Sequence, residues 1–190
     1  MDSLNERLDK LRELIQNKDF LAGKGLSNEV NIRFFCYDPK EEMAIRHFVN
    51  QIMTDPTIDA HLIEYDLYKI FIQICEDLAI LESISEMEEE DGSAYVLEQL
   101  HSAIGETEFI EKMRETETPV PGNVIILTGI GDVFPFMRVH KMLEAIQPQF
   151  PDCPILVFYP GEFDGNTVML FKQLPANPYY RAFNIVGEGD

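Results

Sequence analysis

Val124-Ile125-Ile126-Leu127-Thr128, Gly129-Ile130-Gly131-Asp132 and Pro154-Ile155-Leu156-Val157-Phe158-Tyr159 decide the reading of the chain. The first and last segments are short, continuous apolar runs. Such runs mark strands covered on both faces, as in a parallel sheet. The middle segment is a glycine loop, and Pro135 is positioned to open a helix after it. Together they make one strand–helix–strand unit, and the rest of the chain reads as what covers its sheet.

Working outward, Ser3-Leu4-Asn5-Glu6 is a capping box, with Leu4, Leu8, Leu11 and Ile15 following at helical spacing to about Asn17. Phe20 to Asn28 is a loop around Gly23 and Gly25. A first strand is expected over Val30–Tyr37. Asp38-Pro39-Lys40-Glu41 is a strong helix start, with Met43, Ile45, His47 or Phe48, Val49 and Ile52 as the apolar face. A second strand spans His61–Tyr65, and Asp66 caps a helix striped by Leu67, Ile70, Phe71, Ile74, Cys75 and Leu78. Helices are expected over 80–90, 94–104 and 108–114, broken at Asp91-Gly92-Ser93. Pro119, Pro121 and Gly122 mark a linker into the central unit. After the Ile155 strand come a turn-rich loop over Pro160–Asn166, a short helix over Thr167–Leu174 and a last strand from Tyr179 to Val186. Five strands alternating with helices imply right-handed crossovers. The fold class is α/β, a three-layer sandwich on a mainly parallel five-stranded sheet. Residues 1–190 form a single domain in this reading, with an acidic helical insertion over 79–117, between strands 2 and 3.

Composition narrows function. The 190 residues carry a net charge of −19, which disfavours an extended nucleic-acid footprint. Between Glu76 and Glu117 stand 14 acidic residues against Lys112 and Arg114. This region reads either as a solvated helical face or as a docking surface for a basic protein. No apolar run approaches the length of a membrane span, and the N-terminus has no signal-peptide pattern, so a cytoplasmic location is expected. Cys36, Cys75 and Cys153 form no C-x-x-C pair and read as small buried hydrophobes. His47, His61, His101 and His140 lack metal-ligand spacing. Neither a metal nor another cofactor is expected.

Open α/β sheets bind ligands beyond the strands' carboxyl ends, which makes Asp38-Pro39, Gly129 to Phe134 and Pro160 to Asn166 the loops to weigh. Gly129 and Gly131 can expose backbone N–H groups to an anion. A dinucleotide fingerprint, however, needs a third glycine where Phe134 stands. Tight-turn glycines are the plainer account. No G-x-x-x-x-G-K-[ST] loop follows the first strand and no G-x-S-x-G elbow exists. Asp132, Arg138 and His140, with Asp164, can be drawn as an acid–base group. The plainer account has Asp132 capping the helix and His140 partly buried. Phe134, Pro135, Tyr159, Phe163, Tyr179 and Tyr180 are many aromatics and prolines for loops and strand ends. Rimmed by Asp132, Asp164, Arg138 and Arg181, they form a candidate protein-binding patch.

Four blocks carry a resemblance: Phe20-Leu21-Ala22-Gly23-Lys24-Gly25-Leu26-Ser27-Asn28-Glu29; Leu127-Thr128-Gly129-Ile130-Gly131-Asp132-Val133-Phe134-Pro135-Phe136-Met137-Arg138-Val139-His140; Phe158-Tyr159-Pro160-Gly161-Glu162-Phe163-Asp164-Gly165; and Tyr179-Tyr180-Arg181-Ala182-Phe183. In this order they resemble the small B-protein family (BrxB) of BREX, the bacteriophage exclusion system, over essentially the whole chain. The resemblance implies membership of a multi-protein phage-defence assembly containing an alkaline-phosphatase-like protein, a large ATPase and an adenine methyltransferase. It implies an adaptor that binds the phosphatase-like protein, with the ATPase and methyltransferase as further candidate partners. The family brings no catalytic residues. The alternative kept open is a degenerate nucleotide-binding or cryptic enzyme domain using the 129–132 glycine loop.

Overall fold

The computed structural model describes residues 3–21, 31–164, 166–175, 177–178 and 183–184. Four apolar strands set the architecture: β1 (Ile32–Tyr37), β2 (Leu62–Asp66), β3 (Val124–Thr128) and β4 (Ile155–Phe163). With β7 (Phe183–Asn184) they lie in the order β2-β3-β4-β1-β7, and every neighbouring pair is parallel. Ile155 stands opposite both Ile32 and Ile125, so the middle of the sheet is in register across three strands.

Successive side chains on a strand point to opposite faces, and each face here has its own core. Ile32, Phe34, Ile63, Tyr65, Ile125, Leu127, Val157 and Tyr159 face one way. Phe35, Tyr37, Leu62, Val124, Ile126, Leu156 and Phe158 face the other. Helices α1 (Leu4–Leu14) and α3 (Glu42–Thr54) cover the second face. The first is covered by α4 (Leu67–Asp77), α6 (Ser93–Ala103), α7 (Glu106–Thr116), α8 (Ile130–Val133) and α9 (Val139–Ile146). This is the expected three-layer α/β sandwich. Two short helices add to these: α2 (Lys18–Leu21), which buries Phe20 in the second core, and α5 (Ile84–Asp91), which packs Ile84 and Met87 against the first.

Local chemistry explains the helix boundaries. Ser3 and Glu6 close the capping box of α1: the Ser3 amide donates to Glu6 Oε2 at 2.6 Å and the Glu6 amide to Ser3 Oγ at 3.3 Å. Asp38 starts a short 3-10 turn over Pro39–Glu41 that leads into α3. Asp66 Oδ1 accepts the Tyr68 and Lys69 amides at 3.1 and 3.2 Å, which caps α4. Gly92, at φ +87°, makes the break between α5 and α6. The acidic region is part of the sandwich. Val96, Leu100, Ile104, Phe109, Ile110 and Met113 are buried in the first core, whereas α5 buries none of its residues.

Several expectations are corrected. The helix near Pro135 is two helices, α8 and α9, with a turn between them. Pro135 holds Phe134 in extended backbone (φ −68°, ψ 135°), so no helix can run through it. Thr167–Leu170 is strand β5, not helix. Its exposure alternates, with Val168 and Leu170 buried, and it pairs antiparallel with the end of β4. β4 itself continues through Pro160 and Gly161 to Phe163, where a loop was expected. Gly161 makes this pairing possible, because a Cβ there would lie 2.2 Å from the Met169 carbonyl oxygen. β5 also pairs with β6 (Asn177–Pro178). Of the expected last strand, Phe183 and Asn184 are described, while Tyr179, Tyr180 and Arg181 lie outside the described residues. Met43 is 75% exposed and leaves the apolar face of α3 to Ile45, Phe48, Val49 and Ile52; His47 faces outward.

Phe158 shows how much the second core depends on its aromatics. It is buried, with ring centroids 5.6 Å from Phe35 and 6.3 Å from Phe48. Phe158→Ala is expected to lower unfolding free energy by about 3–5 kcal/mol, measured by urea titration at neutral pH.

Candidate functional site

The loops beyond the carboxyl ends of β1, β3 and β4 hold most of the residues singled out in the sequence. Gly129 ends β3 in left-handed backbone at φ +69°. A Cβ at Gly129 would meet Asp66 Oδ1 at 2.4 Å and the Tyr68 amide nitrogen at 3.0 Å. The glycine therefore leaves room for the capped start of α4. Gly131 does similar work on the other side, where a Cβ would lie 2.8 Å from Phe171 Cε1 and 3.2 Å from Pro160 Cγ. Both glycines are explained by close packing. The group nearest Gly129 is the Asp66 carboxylate, which repels phosphate.

Asp132 lies inside α8 and caps neither α8 nor α9, a correction to the capping expectation; the N-caps are Gly129 and Arg138. Its carboxylate pairs with Arg46 of α3. Arg46 Nε also donates to Glu42 Oε1 at 2.8 Å, and the Tyr37 hydroxyl donates to Glu42 Oε2 at 2.6 Å. This chain of contacts ties α3, β1 and α8 together across the sheet's carboxyl edge. Burial and the Glu42 carboxylate push the Tyr37 phenol well up, so it stays protonated and acts as donor. Arg46 was not foreseen as a site residue. The signal for it was the Glu42–Arg46 spacing of four on the polar face of a helix.

The turn between α8 and α9 is pinned from outside. The Phe136 ring stacks on Phe71 of α4 with centroids 4.5 Å apart. His101 Nε2 of α6 donates to the Pro135 carbonyl at 2.9 Å. Phe134 and Pro135 are half-buried, Arg138 is exposed and His140 is half-buried. Phe134, Arg138, His140 and Tyr159 line one small cavity, so these four candidates are brought together. Phe163 is buried against Phe34, with centroids 5.0 Å apart, on the core side of β4. Asp164 is exposed and forms the turn between β4 and β5. Its Oδ1 accepts the Asn166 and Thr167 amides at 2.8 and 2.7 Å, and these donors hold its carboxyl below the ordinary carboxylate range.

A larger cleft of about 400 Å³ opens where β1 and β4 lie side by side, next to Arg7, Asp38, Glu162 and Lys172. Lys172 lies 3.4 Å from Glu162 and 3.9 Å from Asp38. Arg7 is 6% exposed. It donates to the Cys36 carbonyl at 2.5 Å and lies 4.6 Å over the Phe35 ring. Sequence reasoning missed Arg7, although its place on the Leu4, Leu8, Leu11 stripe was the signal. The Cys36 thiol on this wall is pushed up to about 12, chiefly by burial, which removes its thiolate reactivity. The described residues contain no cluster of three or more His, Cys, Asp or Glu side chains suited to a metal, and no helix among them is long and apolar enough to cross a membrane.

Two predictions follow from this geometry. Gly129→Ala is expected to cost about 1–3 kcal/mol, since it combines left-handed backbone with a clash at Asp66. Urea unfolding checks it, and unchanged stability would overturn it. The second concerns His140, held below its ordinary range chiefly by burial and also by Arg138 and Lys141, against Glu144 and Glu106. The fold prefers its neutral form, so its contribution is complete above the ordinary imidazole range near about 6.5 and is lost as pH falls through the lowered value. His140→Gln is expected to lose less stability than the wild type between neutral pH and mildly acidic pH, read as the shift in urea midpoint.

Comparison with known proteins agrees with these motifs. The family model described as "BREX protein BrxB" matches residues 63–185. A BREX protein BrxB from Bacillus cereus (strain H3081.97) is 32% identical over 192 residues, covering 98% of this chain and 99% of that protein. A second, from Escherichia coli O9:H4 (strain HS), is 24% identical over 183 residues, covering 96% and 92%. No solved structure matches the chain. The chain belongs to the BrxB family of BREX proteins.

Proposed function

We propose that this chain is a non-catalytic adaptor in a BREX phage-defence complex. It docks onto the alkaline-phosphatase-like protein of the system through the loops at the sheet's carboxyl edge. The ATPase and the methyltransferase are further candidate partners. The observation that carries the reading is how the glycine loop is used. Asp66 and Phe171 occupy the space beside Gly129 and Gly131 that a phosphate cradle needs. Aromatic and cationic side chains surround this filled loop, with the Phe134–Arg138 turn held by Phe71 and His101. A surface already rigid in the free protein loses little entropy on binding, which suits a docking site.

Size-exclusion chromatography with light scattering tests the proposal. The wild-type chain and the phosphatase-like protein are expected to co-elute at micromolar concentrations. Arg138→Glu, with an unchanged unfolding midpoint, is expected to weaken that complex at least about tenfold, as reversal of an interface arginine does. Separate elution of the wild-type chain from each of the three candidate partners would refute the adaptor role.

A further inference from the structure

The cavity under the α8–α9 turn has a chemistry of its own. Its volume is about 100 Å³. Ile130, Met137, Val139, Val168 and Leu170 give it apolar walls, each no more than 8% exposed. Arg138 and Pro175, both exposed, place its mouth at the surface.

Three polar groups interrupt the apolar lining: Tyr159, Arg138 and the half-buried His140. Tyr159 is 2% exposed, with its ring edge-on to Phe34 at 5.4 Å. Its hydroxyl has no hydrogen-bond partner among the described residues. Arg138 has neither a hydrogen bond nor an ion pair among the described residues. By contrast, Arg12 pairs with Asp55, Arg46 with Glu42 and Asp132, and Arg114 bonds Gln149. In a chain with net charge −19 an arginine without a carboxylate stands out. A guanidinium can only donate, and burial pushes the Tyr159 phenol up, so it too keeps its proton. Both groups therefore suit an acceptor, and a carboxylate matches the guanidinium fork.

Size sets the apolar part. A cavity of roughly 150 Å³ holds a benzene ring. One of about 100 Å³ is nearer the size of a branched aliphatic side chain than that of an aromatic ring. We propose that this pocket receives one aliphatic side chain of a partner polypeptide, with an adjoining carboxylate bound by Arg138 and Tyr159. The inference rests on the adaptor reading and specifies what that surface recognises.

Full-length protein labelled at its methionine methyl groups supplies the test, because Met137 lines the pocket and Met137→Leu assigns its signal. N-acetyl-leucine is expected to shift the Met137 resonance. The affinity should fall about tenfold with Arg138→Gln, and similarly with N-acetyl-leucinamide, since each removes one partner of a charge-assisted bond. Tyr159→Phe should weaken binding less. N-acetyl-phenylalanine should leave the signal in place. An unmoved Met137 resonance with N-acetyl-leucine overturns the proposal, as does unchanged affinity in Arg138→Gln or equal binding of the phenylalanine derivative. Co-elution with the phosphatase-like protein separates the two readings. A complex without the Met137 shift sinks the pocket alone. A Met137 shift in a chain that joins none of the system's proteins sinks the adaptor reading alone.

Discussion

Burial of β4 on both faces and along both edges is the constraint on which the rest depends. Its side chains alternate between two cores, Leu156 and Phe158 on one side and Ile155, Val157 and Tyr159 on the other. Its edges bond β1 and β3. Beyond them the strand cannot stop, because Gly161 draws in the Met169 carbonyl and starts the antiparallel extension. Phe171, which follows that extension, then fills the space left by Gly131. The glycine loop, the α8–α9 turn and the β4–β5 hairpin are thus one packed unit. Each interaction in it is short-ranged dispersion and hydrogen bonding, and loss of any member leaves a void or an unpaired backbone group.

Charge is arranged differently from packing. The cations at the carboxyl edge mostly have carboxylate partners, in the Arg46–Glu42–Asp132 group and in Lys172 with Asp38 and Glu162. Such partly exposed pairs contribute little to stability. Their effect is to fix orientation and to leave the surplus negative charge on the outward faces of α5, α6 and α7. The apolar faces of α6 and α7 belong to the core, so the acid there is carried by helices that the sandwich needs in any case.

Much of this was legible in the sequence because it is periodic. The continuous runs at 124–128 and 155–159, the Ser3–Glu6 capping box, the Asp38-Pro39 start, the Asp66 cap and the break at Gly92 are local signals, and the structure has each of them. The misread parts depend on partners distant in sequence. Thr167–Leu170 has too few residues to separate two periods, and it is a strand because Gly161 lets it approach β4. Pro135 resembled a helix start, but it lies in the turn after α8, and α9 begins only at Val139. At the candidate site the motifs did not indicate depth. Tyr159 and Phe163 proved to be core residues, Asp132 a partner of an arginine 86 positions away, and Arg7 a buried cation on an apolar stripe.

The strand order also bears on how the chain is made. β1 leaves the ribosome well before its neighbour β4, which pairs with it 123 positions later, from Ile32 to Ile155, and its other neighbour, β7, is later still. Phe34 and Phe35 therefore have no sheet to join until β4 arrives, whereas β2 and β3 can pair and be covered by the helices between them. Closing so long a loop is slow and leaves an apolar strand edge open meanwhile. For this chain, the interval between the emergence of β1 and the arrival of β4 is the period of greatest exposure to wrong association. In a multi-protein defence system, that is also when a chaperone or an early-binding partner has the most to protect.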